Sequence, residues 1–482
     1  MSETVRTRFA PSPTGFMHIG NLRTGLYAYL FAKQHGGKFI LRIEDTDQER
    51  KVEGAEEMVY RTLKIAGLTY DEGPDKDGGY GPYVQTQRMG LYKEYAEKLV
   101  ELGGAYYCFC DKERLESLKD ENGVHTYDKH CRNLPKEEVE RRLKAGEPYV
   151  IRQKVPENVM TSYTDMVFGE IKVDTADIED GVLLKSDGLP TYNFANVVDD
   201  HLMGITHVIR GTEYLSSTPK YNLIYDAFGW KRPEYMHLPA IMKDATRKLS
   251  KRYGDANFED FISKGYLPEA IVNYIALLGW CPKDNREKMS MQEMIEAFST
   301  DGISHSSAIF DENKMRWLNG EYLKAMSKEE FLKVATPWIE KGIGDNKFDV
   351  KEIADLMQTR VDVLSEIPEK IAFLQNFGDY DLNMYVHQKM KVNVEVAKTA
   401  VKVAIDALEG FDDWSIDGIK DAIKSYCEEV GFKSGQVMFC MRVALTGEPI
   451  TPGGAMEMAV VLGKDESLRR MKHSLAMLEN AL

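Results

Sequence analysis

The sequence predicts an α/β fold: a doubly wound parallel sheet with an inserted α+β domain, followed by an all-helical C-terminal region. Three observations carry the prediction. A strand, a helix and a second strand follow one another at the N-terminus, the beginning of a βαβ unit of the Rossmann type. Strand-like text returns after an interruption near residues 106–186. Beyond about residue 257, helical periodicity dominates. At roughly 150 residues per domain, the 482 residues allow about three domains, so one core is not expected.

Val5–Ala10 alternates apolar and basic residues and reads as the first strand. Pro11, Ser12, Pro13, Thr14 and Gly15 can continue neither strand nor helix, and Leu22–Gln34 then has helical spacing. Gly36-Gly37 ends that helix, and Lys38–Ile43 is a short strand of the buried parallel type. Asp71–Arg88, with four glycines and two prolines in eighteen residues, is a loop long enough to be functional. A helix spans Gly90–Leu102. A cysteine cluster, a charged helix at Lys136–Ala145 and β-like pieces at Tyr149–Val155 and Gly169–Val173 mark the insertion. A buried strand pattern over Pro190–Arg210 resumes the sheet. The reading is therefore a split sheet domain over 1–105 and 187–255, an insertion over 106–186, a linking domain over 256–325, and a helical region over 326–482 with a break near 380. Its helices include Pro268–Leu278, Lys328–Ala335, Val350–Leu364, Val394–Leu408 and Ser467–Leu478.

Composition narrows the function classes. With 43% hydrophobic and 29% charged residues, the chain is neither disordered nor collagen-like nor membrane-embedded. Met1–Gly15 lacks the uncharged apolar stretch of a secretory signal, no run is long enough to span a bilayer, and six cysteines are too few for a disulfide scaffold, so a chain neither exported nor embedded, in the cytoplasm, is expected. Cys281, Cys427 and Cys440 sit singly among apolar neighbours. The net charge of -15 taken alone disfavours a nucleic-acid partner. Locally the balance inverts: Lys243–Arg252 carries five basic residues against one acid.

Two short segments carry chemistry. Pro11–Asn21 (PSPTGFMHIGN) joins strand to helix, where helix N–H groups and glycine backbone can approach a phosphate chain, with His18 at the helix start able to donate to a phosphoryl oxygen. Lys248–Arg252 (KLSKR) is a basic loop suited to a triphosphate whose charge redistributes as a bond to phosphorus breaks. Alone, H-x-G is more often a capping turn and a basic pentapeptide a solvated loop; their co-occurrence changes the weighing. Cys108 and Cys110 can aim two thiolates at one ion, and Cys131 could add a third.

HIGN and KLSKR resemble the paired signatures of class I aminoacyl-tRNA synthetases. The text RFAPSPTGFMHIGN, LRIEDTD, DEGP, GPYVQTQR, LLKSDGLPTYNFANVVDDHLMGITHVIRG, KLSKRYG and KMRWLNGEYL is similar to the bacterial glutamyl-tRNA synthetases over essentially the whole chain. The resemblance implies ATP binding, with Mg2+, by Pro11, Thr14, Gly15, His18, Gly20, Asn21 and the loop Lys248, Leu249, Ser250, Lys251 and Arg252. His18, Lys248 and Lys251 would stabilise transition-state charge, with no covalent intermediate on the protein. It implies glutamate contacts from Arg8, Ala10, Ser12, Glu44, Tyr192, Asn196 and Arg210, the last as a bidentate carboxylate partner. Tyr214 stands where the family often has tryptophan. The implied reaction forms glutamyl-adenylate and passes the glutamyl group to the terminal adenosine of tRNA-Glu, with tRNA-Gln left open as a second acceptor. The inserted domain would bind the acceptor end, the linking domain the stem, and the helical end the anticodon, with Arg360 as a candidate reader; a monomer is expected. Some members hold structural Zn2+ at C-x-C, a later Cys and a His two residues on. Here that last position is Asn133, which leaves Tyr127, His130 or a metal-free cluster as alternatives. PSPTG at Pro11–Gly15 differs from the PEPNG-like text of glutaminyl relatives, which end in β-barrels, and a truncated relative that glutamylates a modified tRNA base lacks the helical half.

Overall fold

The computed structural model describes residues 4–13, 15–46, 52–118, 126–249, 257–345 and 348–481. The chain divides into two units: Met1–Ile262 with Pro268–Asp311, and Ser263–Leu267 with Glu312–Leu482. No helix among the described residues is long and apolar enough to cross a membrane.

The first unit is built on a mixed sheet. Strand β1 (Arg6–Phe9) leads through helix α1 (Ile19–Gln34) to the parallel strand β2 (Lys38–Leu41). Two antiparallel strands, β3 (Ala105–Cys108) and β4 (Val150–Gln153), form a separate small sheet with β7 (Val182–Leu184). Between them in sequence, β5 (Met160–Asp165) and β6 (Gly169–Asp174) make a hairpin, and β8 (His207–Gly211) and β9 (Glu234–Leu238) return to the main sheet. The main order is β2-β1-β8-β9-β5-β6. Although β2 ends that order, its Phe39, Ile40 and Leu41 are fully buried, matching the unbroken apolar text of a parallel strand covered on both faces.

Three features depart from the sequence reading. The β5–β6 hairpin, expected inside the insertion, extends the main sheet, with β5 parallel to β9 and β6 an antiparallel edge. The period-2 pattern of β5, burying Thr161, Tyr163 and Asp165, suits a strand covered on one face only. Pro190–Arg210 is mostly not strand: Tyr192–Leu202 is a helix, and only His207–Gly211 is β. A helix buried on most sides, here through Phe194, Ala195, Val197 and Val198, has the same unbroken apolar text as a central strand. The helix expected over Val350–Leu364 stops at Met357; Gln358 caps it with helical dihedrals, its backbone N–H donating to the Ala354 carbonyl, while its side-chain amide donates to the carbonyls of Leu323 and Met326.

The second unit is helical. The helix Glu312–Ala325, placed by sequence in the linking domain, belongs here: Asn319 accepts from the Leu267 amide and donates to the Asp362 carbonyl. A capping box at Ser327 and Glu330 starts Lys328–Ile343. Helices Val394–Leu408, Ile416–Val430, Ser434–Thr446, Ala455–Leu462 and Lys464–Asn480 complete it. The fully buried Arg470 donates to the carbonyls of Phe373, Leu374 and Leu445, its guanidinium 4.4 Å from the centre of the Phe377 ring. It thus spans the expected break near residue 380.

Candidate active site

Chain order reverses between β1 and β8, since β1 is followed by β2 on one side while β8 flanks it on the other. Beyond the carboxyl ends of strands at such a point the loops diverge and leave a crevice. A cavity of about 210 Å³ opens there, bordered by Arg8, Ser12, Glu44, Tyr192, Arg210 and Tyr214. Ala10, Pro11 and Asn21 also border it. Asn196 does not: it is buried one turn along the helix, its amide donating to the Tyr192 carbonyl at 2.7 Å.

The floor is a ladder of alternating charges. Arg8 Nε donates to Asp200 Oδ1 at 3.1 Å, and Arg42 donates to the same oxygen at 2.8 Å and to Glu44 Oε1 at 3.0 Å. Asp199 lies 3.8 Å from Arg42 and accepts from Arg88 at 2.7 Å, from Tyr92 at 2.8 Å and from Gln85 at 2.9 Å. Burial alone would raise Asp200, but Arg8 and Arg42 overcome it and hold the carboxyl below its ordinary value. Burial dominates at Glu44, raising its carboxyl against the pull of Arg42 and Arg8. Burial, then the nearby Glu44 carboxylate, keeps the Tyr192 phenol protonated.

Arg210 is treated differently. Its Nε donates to His237 Nε2 at 3.2 Å and its Nη2 to Thr218 Oγ1 at 2.6 Å. The rings of Tyr221, Tyr214 and Tyr235 lie 4.9, 5.1 and 5.5 Å from its guanidinium carbon. These hydrogen-bond and ring partners are all neutral, while the other cavity guanidinium, Arg8, is paired to a carboxylate.

His18 does not border the cavity; it caps α1, its Nδ1 accepting from the Gly20 amide at 3.0 Å, so the neutral ring carries its proton on Nε2. A Cβ at Gly20 would stand 3.1 Å from that Nδ1, and Gly15 has φ +114, so both glycines are needed for shape. The basic loop is anchored on both sides. Lys248 bridges Met242, and the Leu249 amide donates to the Ile241 carbonyl; after the loop, Asn257 bridges His18 and the Phe258 amide reaches the Met17 carbonyl. Lys248 is exposed. Thr14, Ser250, Lys251 and Arg252 lie outside the described residues.

The remaining candidates are elsewhere. Cys108, Cys110 and Cys131 bring their sulfurs within 4.8 Å of one another, and the buried Tyr127 hydroxyl lies 3.2 Å from Cys108 Sγ and 3.9 Å from Cys110 Sγ. Hydrogen bonding from Cys131, and then from Tyr127, lowers the Cys108 thiol against its burial. His130 and Asn133 are exposed. Arg360 donates to the Leu356 carbonyl at 2.6 Å and lies 3.8 Å from Glu457.

Sequence reasoning did not single out Arg42, Asp199, Asp200, Asp165, Thr218 and His237. The signal for two of them was legible: adjacent aspartates inside VVDDH need buried partners.

Comparison with known proteins agrees with this geometry. Residues 4–317 match the family described as "tRNA synthetases class I (E and Q), catalytic domain", and residues 330–475 match an "Anticodon binding domain". A curated protein of Clostridium novyi named "Glutamate--tRNA ligase" is 54% identical over 100% of this chain and 99% of its own. The chain belongs to the glutamate–tRNA ligase family of class I tRNA synthetases. A second relative of that name, from Clostridium acetobutylicum, is also 54% identical, over 98% of this chain and 99% of its own. A solved glutamate tRNA ligase from Elizabethkingia meningosepticum, described as in complex with its amino acid, superposes with a TM-score of 0.90 at 36% identity, covering 99% of this chain and 100% of that one.

Asp200 titrates below its unfolded value, so its stabilisation is complete above the unfolded pKa and is lost as pH falls through the folded one. Asp200→Asn should therefore destabilise the protein by about 3 kcal/mol at neutral pH and flatten the loss of stability below about pH 4. Urea unfolding of both proteins across pH reads the difference.

Proposed function

We propose that the chain is a glutamate–tRNA ligase that activates L-glutamate with ATP and transfers it to the 3'-terminal adenosine of tRNA-Glu. The observation that carries the reading is Arg210 at the end of β8, a buried cation held by neutral groups alone beside a cavity of about 210 Å³. A substrate carboxylate is the natural complement of that guanidinium, and two-point N–H donation discriminates it from a carboxamide.

In this reading the glutamate side chain meets Arg210, with the Tyr192 hydroxyl beside it. Arg8, Ala10, Ser12 and Glu44 shape the end that holds the ammonium and α-carboxylate, while Asn196 acts by bracing Tyr192. The α-carboxylate attacks the α-phosphorus of ATP and pyrophosphate leaves. His18 donates from Nε2 toward the phosphates at the start of α1, and Pro11, Thr14, Gly15, Gly20 and Asn21 form the nucleotide's bed. Lys248, Leu249, Ser250, Lys251 and Arg252 supply positive charge as negative charge moves onto pyrophosphate, and Mg2+ accompanying the ATP would add to it. A ribose hydroxyl of the tRNA then takes the glutamyl group. Arg360 reads the anticodon on the helical unit.

The donor set of three thiols and a phenol fits Zn2+. Cys108, Cys110 and Cys131 would hold the ion with Tyr127 as fourth ligand, since His130 is exposed. When bound, Zn2+ supplies a structural cross-link.

Glutamylation of purified tRNA-Glu and tRNA-Gln side by side tests the function: tRNA-Glu should be charged in an ATP-dependent way, and charging of neither overturns the reading. Lys251→Ala should lower the rate of activation by at least about tenfold while shifting glutamate KM far less; an unchanged rate removes the loop from the chemistry. Protein purified without added zinc should contain close to one zinc per chain, falling on Cys131→Ser substitution. A clearly substoichiometric content in the parent protein overturns the metal site.

A further inference from the structure

Arg210 owes its direction to a buried pair that no step of the proposed reaction uses. Asp165 closes β5, and the two oxygens of its carboxylate do separate work. Oδ1 accepts from the amides of Val167 and Phe168 at 3.0 and 2.9 Å and fixes the hairpin turn. Oδ2 accepts from the His237 amide at 3.1 Å and contacts His237 Nδ1 at 2.6 Å. Both side chains are fully shielded from solvent. A carboxylate can only accept, so the ring proton sits on Nδ1 and the Nε2 lone pair faces the other way, where Arg210 Nε lies 3.2 Å away. Burial lowers His237, and the nearby Arg210 adds to that against the opposing pull of Asp165, which keeps the imidazole neutral.

We infer that His237, seated on Asp165, is the positioning residue that orients Arg210 toward the substrate's side-chain carboxylate while leaving its charge unneutralised. The inference rests on the glutamate reading of the cavity. A carboxylate in the place of His237 would hold Arg210 more firmly but would satisfy its charge, as Asp200 does for Arg8. A neutral acceptor fixes Nε only. Thr218 takes one Nη2 hydrogen; its own hydroxyl lies 2.8 Å from the Tyr214 carbonyl and 3.2 Å from His237 Nε2, and donation along the shorter contact leaves the Nε2 lone pair to Arg210. Among the described residues the remaining Nη hydrogens have no protein acceptor, and a bidentate carboxylate could take them. The tautomer is the crux, because a ring protonated on Nε2 would set N–H against N–H and release the guanidinium.

Steady-state glutamylation of tRNA-Glu with wild type, His237→Ala, His237→Gln and Asp165→Asn tests this, with thermal unfolding as the check on folding. His237→Ala should raise glutamate KM roughly ten- to a hundredfold, while ATP KM stays within about twofold and kcat changes much less. His237→Gln offers a neutral oxygen acceptor and should recover part of that loss. Asp165→Asn can donate to Nδ1 and favour the wrong tautomer, so it should raise glutamate KM even where the melting temperature is close to wild type. A folded His237→Ala protein with unchanged glutamate KM, or one in which glutamate and ATP KM rise together, overturns the inference. So does a glutamine variant no better than alanine. Failure of the wild type to charge tRNA-Glu would instead remove the parent reading, which separates the two.

Discussion

The first unit depends on how two guanidinium groups share one aspartate. Asp200 accepts from both Arg8 and Arg42, so the C-terminal end of β1, the text just after β2 and the helix Tyr192–Leu202 are tied at a single carboxylate. Each of these segments contributes to the cavity wall. Removing ionised groups from water is expensive, and the arrangement is tolerable only because the charges alternate and the carboxylates are multiply hydrogen-bonded. The helix that carries Asp199 and Asp200 is thereby forced against the sheet with Tyr192 at its first turn, at the cavity mouth. A hydrophobic contact in the same place would bring the elements together without setting their rotation.

The cavity therefore holds two cations in opposite electrostatic states. Arg8 belongs to the ladder, and its charge is largely spent on the protein. Arg210 is confined by tyrosine faces, a hydroxyl and an imidazole, which restrict its motion while leaving its field open to a ligand. Specificity for an acid over an amide then comes from what has been kept away from Arg210 as much as from what touches it.

Much of this was legible in the sequence, and the failures have identifiable causes. The βαβ opening, the helix expected over Leu22–Gln34 and found over Ile19–Gln34, and the helix Val394–Leu408 follow from periodicity and punctuation that tertiary context does not override. The helix Tyr192–Leu202 was hidden because burial on most sides erases the periodicity that separates helix from strand. The β5–β6 hairpin was assigned to the insertion because sequence neighbours were assumed to be sheet neighbours, and β5 pairs with β9 about seventy residues away. At the site, residues on loops with distinctive text, such as His18 and Ser12, were accessible to reading. His237 was not: a lone histidine in an apolar strand carries no local mark of its partner, and Asp165 lies far from it in sequence.

The buried Arg470 has a consequence in time as well as in space. Its acceptors at Phe373 and Leu374 lie nearly a hundred residues upstream, while Arg470 itself sits in the helix Lys464–Asn480, which is synthesised after them. Those carbonyls lack their native donor throughout synthesis, and the Leu445 carbonyl waits with them. In the sheet unit the charge ladder closes earlier, with residues no later than Asp200, while buried Arg23 waits for the Leu278 carbonyl. The helical half can thus complete its interior only once the helix Lys464–Asn480 has been made.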